Sequence, residues 1–314
     1  MDMVTLATRG SPLALRQANL VADALRHSRP GLEVNVLVVR TQGDVATAPL
    51  DQIGGQGIFV AEVELALADG RADIAVHSAK DLPSIMPDHL VLGAVPVRAD
   101  PRDALVGCRL ADLPPGGLIA TGSARRRSQL AFLRPDLIFT DLRGNMERRV
   151  SRGEDGSVTA VVVAMAAMER LDWLHRVTDV LSTTDVLPQA GQGAIAVQCR
   201  VDDVSMRTLL EPLNDDSSAR TLVAERAVLA ALGGSCTVPV GAWAEASAGS
   251  MQLTVHGLLA SGDGRTMIRL SRSGDDPTAV GIDVARAMVI DGGGYGLDGF
   301  DSAALRQSLA SGSP

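Results

Sequence analysis

The chain has almost no lysine: of its 29 cationic side chains, 28 are arginine and only Lys80 keeps an ammonium group. Codon bias accounts for so much arginine, which makes the single exception informative. Aromatic residues amount to 2%, too few for the stacking platforms that hold single-stranded nucleic acid. The net charge of −8 argues the same way, because a phosphate backbone is gripped by surplus positive charge. Cys108, Cys199 and Cys236 are widely spaced and form no CxxC pair, so reduced thiols are expected rather than a disulfide framework or a zinc site. His27, His77, His89, His175 and His256 never fall at HxxxH or HExxH spacing, and no metal is expected. The longest apolar run, residues 160–168, is far short of a bilayer span. The N-terminal residues lack the basic flank and apolar core of a secretory signal, and a cytoplasmic location is expected. Gly191 and Gly193 form a GxG without a strand-loop-helix fingerprint, and GxxxxGK[ST] does not occur, so nucleotide binding has little support.

What the chain does have is a basic segment. Residues 121–149 hold seven arginines against Asp136, Asp141 and Glu147, four positive charges net in a chain of −8, so the remainder carries −12. A solvated helix face is the ordinary reading of such a run. Its placement favours a polyanion site instead. Arg125, Arg126 and Arg127 follow the apolar Leu118-Ile119-Ala120 and the Gly122-Ser123 turn, where a strand gives way to a helix N-terminus with unpaired N–H groups. Arg143 repeats the pattern after Leu137-Ile138-Phe139, and two strand ends in one sheet can aim their guanidiniums at one ligand.

At 314 residues, 46% of them hydrophobic, the chain is long enough for two or three cores. Residues 4–8 read as a strand, Ser11-Pro12 as an N-cap and first helical position, and the following apolar residues repeat with helical spacing. Val34 to Val39 suits a buried parallel strand. A glycine-rich loop (41–57), a helix (60–68) and a strand (72–76) complete a βαβαβ start, the mark of an open α/β sheet with ligands at its strand ends. A second α/β unit follows from Asp103, a strand at 194–199 is expected to rejoin the first sheet, and residues 217 onward read as a small α+β domain beginning with a helix capped by Ser218. The expected domains are 1–98 with 194–214, 99–193, and 215–314. Two crossings between the first two make a hinge, and clefts between hinged domains are common ligand sites.

The strand at 72–76 runs into His77-Ser78-Ala79-Lys80-Asp81-Leu82-Pro83, which puts a hydroxyl, an ammonium and a carboxylate within four residues. A plain turn before Leu82-Pro83 would explain Asp81. The lone lysine and the ligand end of a strand speak for chemistry.

Seven segments taken together, ATRGSPLALRQA, HSAKDLP, ADPRDALV, TGSARRRSQL, LRGNMERR, QAGQGAI and LGGSCTVPVGA, resemble the porphobilinogen deaminase (hydroxymethylbilane synthase) family in the family's order and over nearly the whole chain. The resemblance implies an α/β fold of two hinged open-sheet domains like those of type II periplasmic-binding proteins, plus a small α+β C-terminal domain. It implies a transferase that joins four porphobilinogen units, with loss of ammonia, into a linear tetrapyrrole. The primer would be a dipyrromethane cofactor bonded through a thioether to Cys236. By motif match, Asp81 is the catalytic residue, protonating the departing amine and later accepting a proton as a buried carboxylate. Cofactor carboxylates fall to Lys80, Ser78, Thr121, Ser123, Arg125, Arg126 and Arg143. Substrate contacts fall to Arg9, Ser11, Phe59, Arg149, Arg176 and Gln192, with Arg98 a weaker match; Gln192 could read the substrate or hold the hinge. Porphobilinogen is the expected partner, with no nucleic acid and no membrane, and the chain is expected to be a monomer. Three positions depart from the family pattern: Gln56 and Ala61 stand where relatives carry lysine, and Glu147 stands where the residue is usually small or neutral. Two other classes share some features. A two-domain binder of organic anions has similar architecture but leaves Cys236 unexplained, and a pyridoxal-phosphate enzyme on Lys80 would need a phosphate cup that is absent here.

Overall fold

Strand β1 (Met3–Arg9) passes into helix α1 (Pro12–Ser28) at Ser11, whose extended backbone and hydroxyl, accepting the Ala14 N–H at 3.2 Å, cap the helix ahead of Pro12. These elements belong to a computed structural model that describes residues 2–41, 60–233, 239–247 and 249–297. Gln56, Phe59 and Cys236 of the expected site lie outside those residues, as does most of the glycine-rich loop. Next come β2 (Glu33–Val39), α2 (Ala61–Ala68), β3 (Ile74–Ser78) and β4 (Leu90–Ala94). They are followed by β5 (Asp103–Val106), β6 (Leu118–Ala120), α3 (Ala124–Leu133), β7 (Ile138–Thr140), α4 (Met146–Glu154), β8 (Ala160–Ala164), α5 (Met165–Arg170) and β9 (Asp179–Val180). The chain continues through β10 (Ile195–Arg200), α6 (Val204–Leu210), α7 (Asp216–Ala231), β11 (Val240–Ala246), β12 (Leu253–Ala260), β13 (Met267–Gly274) and α8 (Pro277–Ile290).

The chain divides into two compact units, residues 1–99 with 193–220, and residues 100–192 with 221–314. The first unit holds a five-stranded sheet ordered β2-β1-β3-β10-β4. Strands β2, β1 and β3 are parallel, and β10 runs antiparallel to both of its neighbours. The second unit holds a sheet ordered β7-β6-β8-β5-β9, again with one antiparallel strand, β5, in the fourth place. The two sheets are therefore wound alike. Their difference lies in when the antiparallel strand is made: last in chain order in the first sheet, first in the second. Both are open α/β sheets, as expected.

Alternation along the strands buries both faces of the first sheet. Val4, Leu6, Ile74 and Val197 pack with Val21 and Leu25 of α1, while Ala7 and Ala75 pack with Val63 and Leu67 of α2. The second sheet does the same with Val106, Ala120 and Val161 on one face and Leu105, Ile119 and Val162 on the other. The second unit also contains the antiparallel sheet β11-β12-β13, with Val255 and Leu259 against Val228 of α7 and Val284 and Met288 of α8.

Three local expectations change. Strand β2 is parallel but lies at the sheet edge, where only one side finds a neighbour, so Val36 and Val38 are exposed. Strand β3 begins at Ile74 rather than residue 72. Helix α7 begins at Asp216, so Ser218 sits inside its first turn, and the Ser218 hydroxyl accepts the Arg98 N–H at 2.9 Å.

Candidate functional site

In the first unit, β3 ends at Ser78 and continues as a short 3-10 turn, Ala79–Asp81. The turn is anchored where the Ala79 N–H bonds the Ala194 carbonyl at 3.0 Å and the Leu82 N–H bonds the Ala79 carbonyl at 3.3 Å. This lifts Asp81 off the strand into a pocket that it shares with Arg9, Ser11, Gln17, His77 and Ser78. Asp81 is half-buried rather than buried, as is Lys80 beside it. Gln17 is a residue the sequence reading passed over. It is buried on the inner face of α1 and its Nε2 donates to Ser78 Oγ at 2.9 Å. A glutamine among Ala18, Val21 and Leu25 on an apolar helix face was the available signal.

His77 was also missed. It is 5% exposed, and its Nε2 is buried without a hydrogen-bond partner among the described residues. Burial drives its pKa down to about 4; the Gln198 side chain partly opposes this and the Arg9 charge adds to it. The imidazole in this pocket is therefore neutral at physiological pH.

In the second unit, Ser123 caps α3 by accepting the Arg126 N–H, and Thr121 Oγ1 accepts the Ser123 N–H at 3.2 Å. The first turn of α3 thereby points Arg125 and Arg126 at Asp103 on β5. Asp103 is wholly buried. Its Oδ2 accepts from Arg125 Nη2 at 2.8 Å, and its Oδ1 accepts from Arg126 Nη2 at 2.7 Å and Nε at 3.0 Å. Burial would raise the Asp103 pKa, but the charges of Arg125 and Arg126, with hydrogen bonds from Arg126 and Gln192, hold it well below the usual carboxylate range. Gln192 is also fully buried; its Nε2 donates to the Pro101 carbonyl at 2.7 Å and to Asp103 Oδ1 at 2.8 Å. It thus joins the segment entering the second unit to the one leaving it, between Gly191 (φ 73°) and Gly193 (φ 88°), whose left-handed backbone suits glycine. Glu225 braces the same turn, accepting the Gly191 N–H at 2.7 Å and the Ala244 N–H at 2.8 Å.

The remaining arginines are spread out. Arg143 is exposed at the turn before α4, and Arg149 Nε donates to the Gly144 carbonyl at 2.8 Å. Arg176 is held by Glu147 at 3.0 Å and Glu154 at 2.6 Å, and lies 4.7 Å over the Trp173 ring. Glu147 thus finds its partner on a turn 29 residues away, not in the neighbouring Arg148. Arg170 is only 8% exposed, and burial lowers its pKa to about 10 against the pull of Glu169.

The chain thus combines two like-wound open α/β sheets with a half-buried carboxylate at a pocket and, in the other unit, a buried arginine pair on one aspartate. Comparison with known proteins gives its family. Residues 4–208 match the porphobilinogen deaminase dipyromethane cofactor binding domain, and residues 219–289 match the porphobilinogen deaminase C-terminal domain. The chain is 44% identical to the porphobilinogen deaminase of Syntrophobacter fumaroxidans, covering 92% of this chain and 95% of that one. It is 44% identical to the porphobilinogen deaminase of Roseiflexus castenholzii over 94% of this chain and 98% of that one. The chain belongs to the porphobilinogen deaminase family, and with it to the transferases that use a dipyrromethane cofactor. Among solved structures, the methionine-binding protein MetQ shares 12% identity at a TM-score of 0.41, over 70% of this chain and 95% of that one. A likeness that loose has no bearing on function.

No helix among the described residues is long and apolar enough to cross a membrane.

Proposed function

We propose that this chain condenses four porphobilinogen units stepwise, with release of ammonia, into hydroxymethylbilane on a dipyrromethane primer joined through a thioether to Cys236. The observation that carries the reading is Asp81, raised on its 3-10 turn into a pocket with Arg9, Ser11, Gln17 and Ser78. When bound, the cofactor supplies a free pyrrole α-carbon for extension. Asp81 gives a proton to the departing amine. A carbon–carbon bond forms to the next α-carbon, whose proton then replaces the one given away, so one carboxylate serves each round. Arg9, Ser11, Ser78 and Lys80 would orient acetate and propionate arms beside it.

The second unit fits a carboxylate-bearing group as well. Two guanidiniums share one carboxylate, leaving one positive charge, and Arg125 Nε is buried without a partner among the described residues. Arg125, Arg126, Arg143, Thr121 and Ser123 are proposed to hold cofactor carboxylates, and Arg149 and Phe59 substrate. The contacts of Arg176 and Gln192 support a holding role for both, on α4 and at the crossing segments. The three-domain division (1–98 with 194–214, 99–193, 215–314), a monomeric state and a cytoplasmic location belong to the same proposal, open to sedimentation and cell fractionation.

Intact mass of the purified chain, with peptide mapping, is the direct test. A dipyrrole adduct on Cys236 and formation of hydroxymethylbilane from porphobilinogen are expected. A bare, inactive chain, or an adduct on Cys108 or Cys199, would overturn the reading.

A further inference from the structure

Asp103 has no part in the chemistry above, yet it is wholly buried and its carboxylate is fully engaged. Both oxygens are occupied, by Arg125 on one and by Arg126 and Gln192 on the other. Each guanidinium has a second anchor on a different nitrogen: Arg125 Nη1 on the Leu187 carbonyl, and Arg126 Nη1 on the Val162 carbonyl at 2.9 Å. A guanidinium is a rigid plane with five N–H donors. Two anchors at separate nitrogens fix both the position and the rotation of that plane, so the remaining donors, Arg125 Nε among them, have set directions. Without the carboxylate, two like charges at this depth would repel and turn toward different backbone carbonyls.

The charge balance matters equally. Asp103 stays ionised, because its two arginines outweigh the cost of burial. The cluster is therefore a monocation. A pair of uncompensated arginines would hold every polyanionic intermediate alike, and such uniform binding does not speed turnover.

We propose that Asp103 is a positioning residue: it fixes the planes of Arg125 and Arg126 and cancels one of their charges, so that the pair offers a single oriented cation to one carboxylate of the pyrrole chain. This rests on the reading that Arg125 and Arg126 bind such carboxylates.

The test uses the full chain carrying its cofactor. Arg126→Gln first checks the underlying reading, through adduct occupancy by intact mass and the KM for porphobilinogen. Arg126→Lys keeps the charge but cannot be fixed in a plane, and a KM about tenfold above wild type is expected for it, close to that of Arg126→Gln. Asp103→Glu keeps both charges and shifts the planes by a methylene. It is expected to raise KM by a similar factor at 25 °C, well below its melting temperature, with kcat within about threefold. Combined with Arg126→Gln, the Asp103→Glu change should add little, because both act through one guanidinium. If Arg126→Gln has wild-type occupancy and KM, the reading of the arginines fails and the inference with it. If Arg126→Gln is impaired while Arg126→Lys matches wild type, the inference alone fails, whether or not Asp103→Glu folds. A folded Asp103→Glu with a lower melting temperature but wild-type KM would likewise make Asp103 merely structural.

Discussion

Asp81 in the first unit stands half-buried in a pocket with polar and apolar walls, whereas Asp103 in the second unit is closed in by two guanidiniums and an amide. Asp81 lies on the turn that follows β3 and Asp103 opens β5, in sheets wound the same way. Asp103 has both oxygens committed, so it cannot trade a proton without breaking an ion pair, and it suits a fixed charge. Asp81 sits on a short turn where a substrate can approach it, and it suits proton transfer. Similar sheets thus give one accessible carboxylate and one fully paired carboxylate, and the distinction is made by what the neighbouring helix carries: serine and glutamine from α1 and its cap, arginines from α3.

The sharpest way to break this comparison is Asp81→Asn. Turnover is expected to fall by about 10²- to 10⁴-fold, the range of a lost general acid–base group, with the Cys236 adduct retained. A tenth of the wild-type rate or more would make Asp81 a turn residue.

Next in size is Arg125→Leu, which leaves Asp103 half-paired in the interior. Removing one partner of a buried pair costs roughly 3–5 kcal/mol, so urea unfolding should shift strongly and cofactor loading should drop. Arg265→Leu, at a site where the side chain is 89% exposed, should leave both unchanged. Equal damage at the two positions would erase the special status of the buried pair.

The pocket side can be sharpened through His77. Its pKa lies near 4 in the folded chain against 6.5 when free. Between those values the unfolded chain takes up a proton that the folded chain refuses, so stability contributed by the neutral imidazole is complete above pH 6.5 and is lost as pH falls toward 4. The loss is on the order of 3 kcal/mol at about 1.36 kcal/mol per pKa unit. Asp103, whose pKa is depressed, loses its contribution only in more acid solution, below the ordinary aspartate range. Denaturant melts of wild type and His77→Gln at pH 7 and pH 4.5 should show a pH-dependent gap; parallel behaviour would exclude His77 as its source.

The smallest expected effect is that of Lys80→Arg. A guanidinium is wider than an ammonium and competes as a bidentate partner for the neighbouring Asp81, so turnover should slow by roughly three- to tenfold with fold and adduct intact. Wild-type kinetics would make the lone lysine an accident of composition.

Much of the architecture is legible in the amino-acid sequence. Ser11 and Ser123 cap helices through bonds to residues three positions on, with Pro12 at the first helical position, and such local chemistry can be read in order along a chain; Asn145, read as a turn residue, also caps its helix. Runs at residues 158–163 and 194–199 marked strands that form within a residue or two of those bounds, and the return of the latter to the first sheet was expected. Less legible was which groups oppose one another. Arg125 and Arg126 were read as a clamp for a ligand without any sign that Asp103 already holds them, and Gln192 could equally have faced substrate. Read locally, Glu147 pairs at most with Arg148 or an arginine one turn on, whereas its partner, Arg176, lies 29 residues away.

The sequence by itself determined the family, the helix starts, most strands and the concentration of arginine at one strand-to-helix turn, because these depend on residues a few positions apart. Only the tertiary structure decided which charges are shared and which remain for chemistry. Asp103 meets Arg125 across 22 residues and Gln192 across 89. Gln17 meets Ser78 across 61. No local propensity encodes such pairings; they exist because β5 and α3 in one sheet, and α1 and β3 in the other, are brought side by side by burial of their apolar faces.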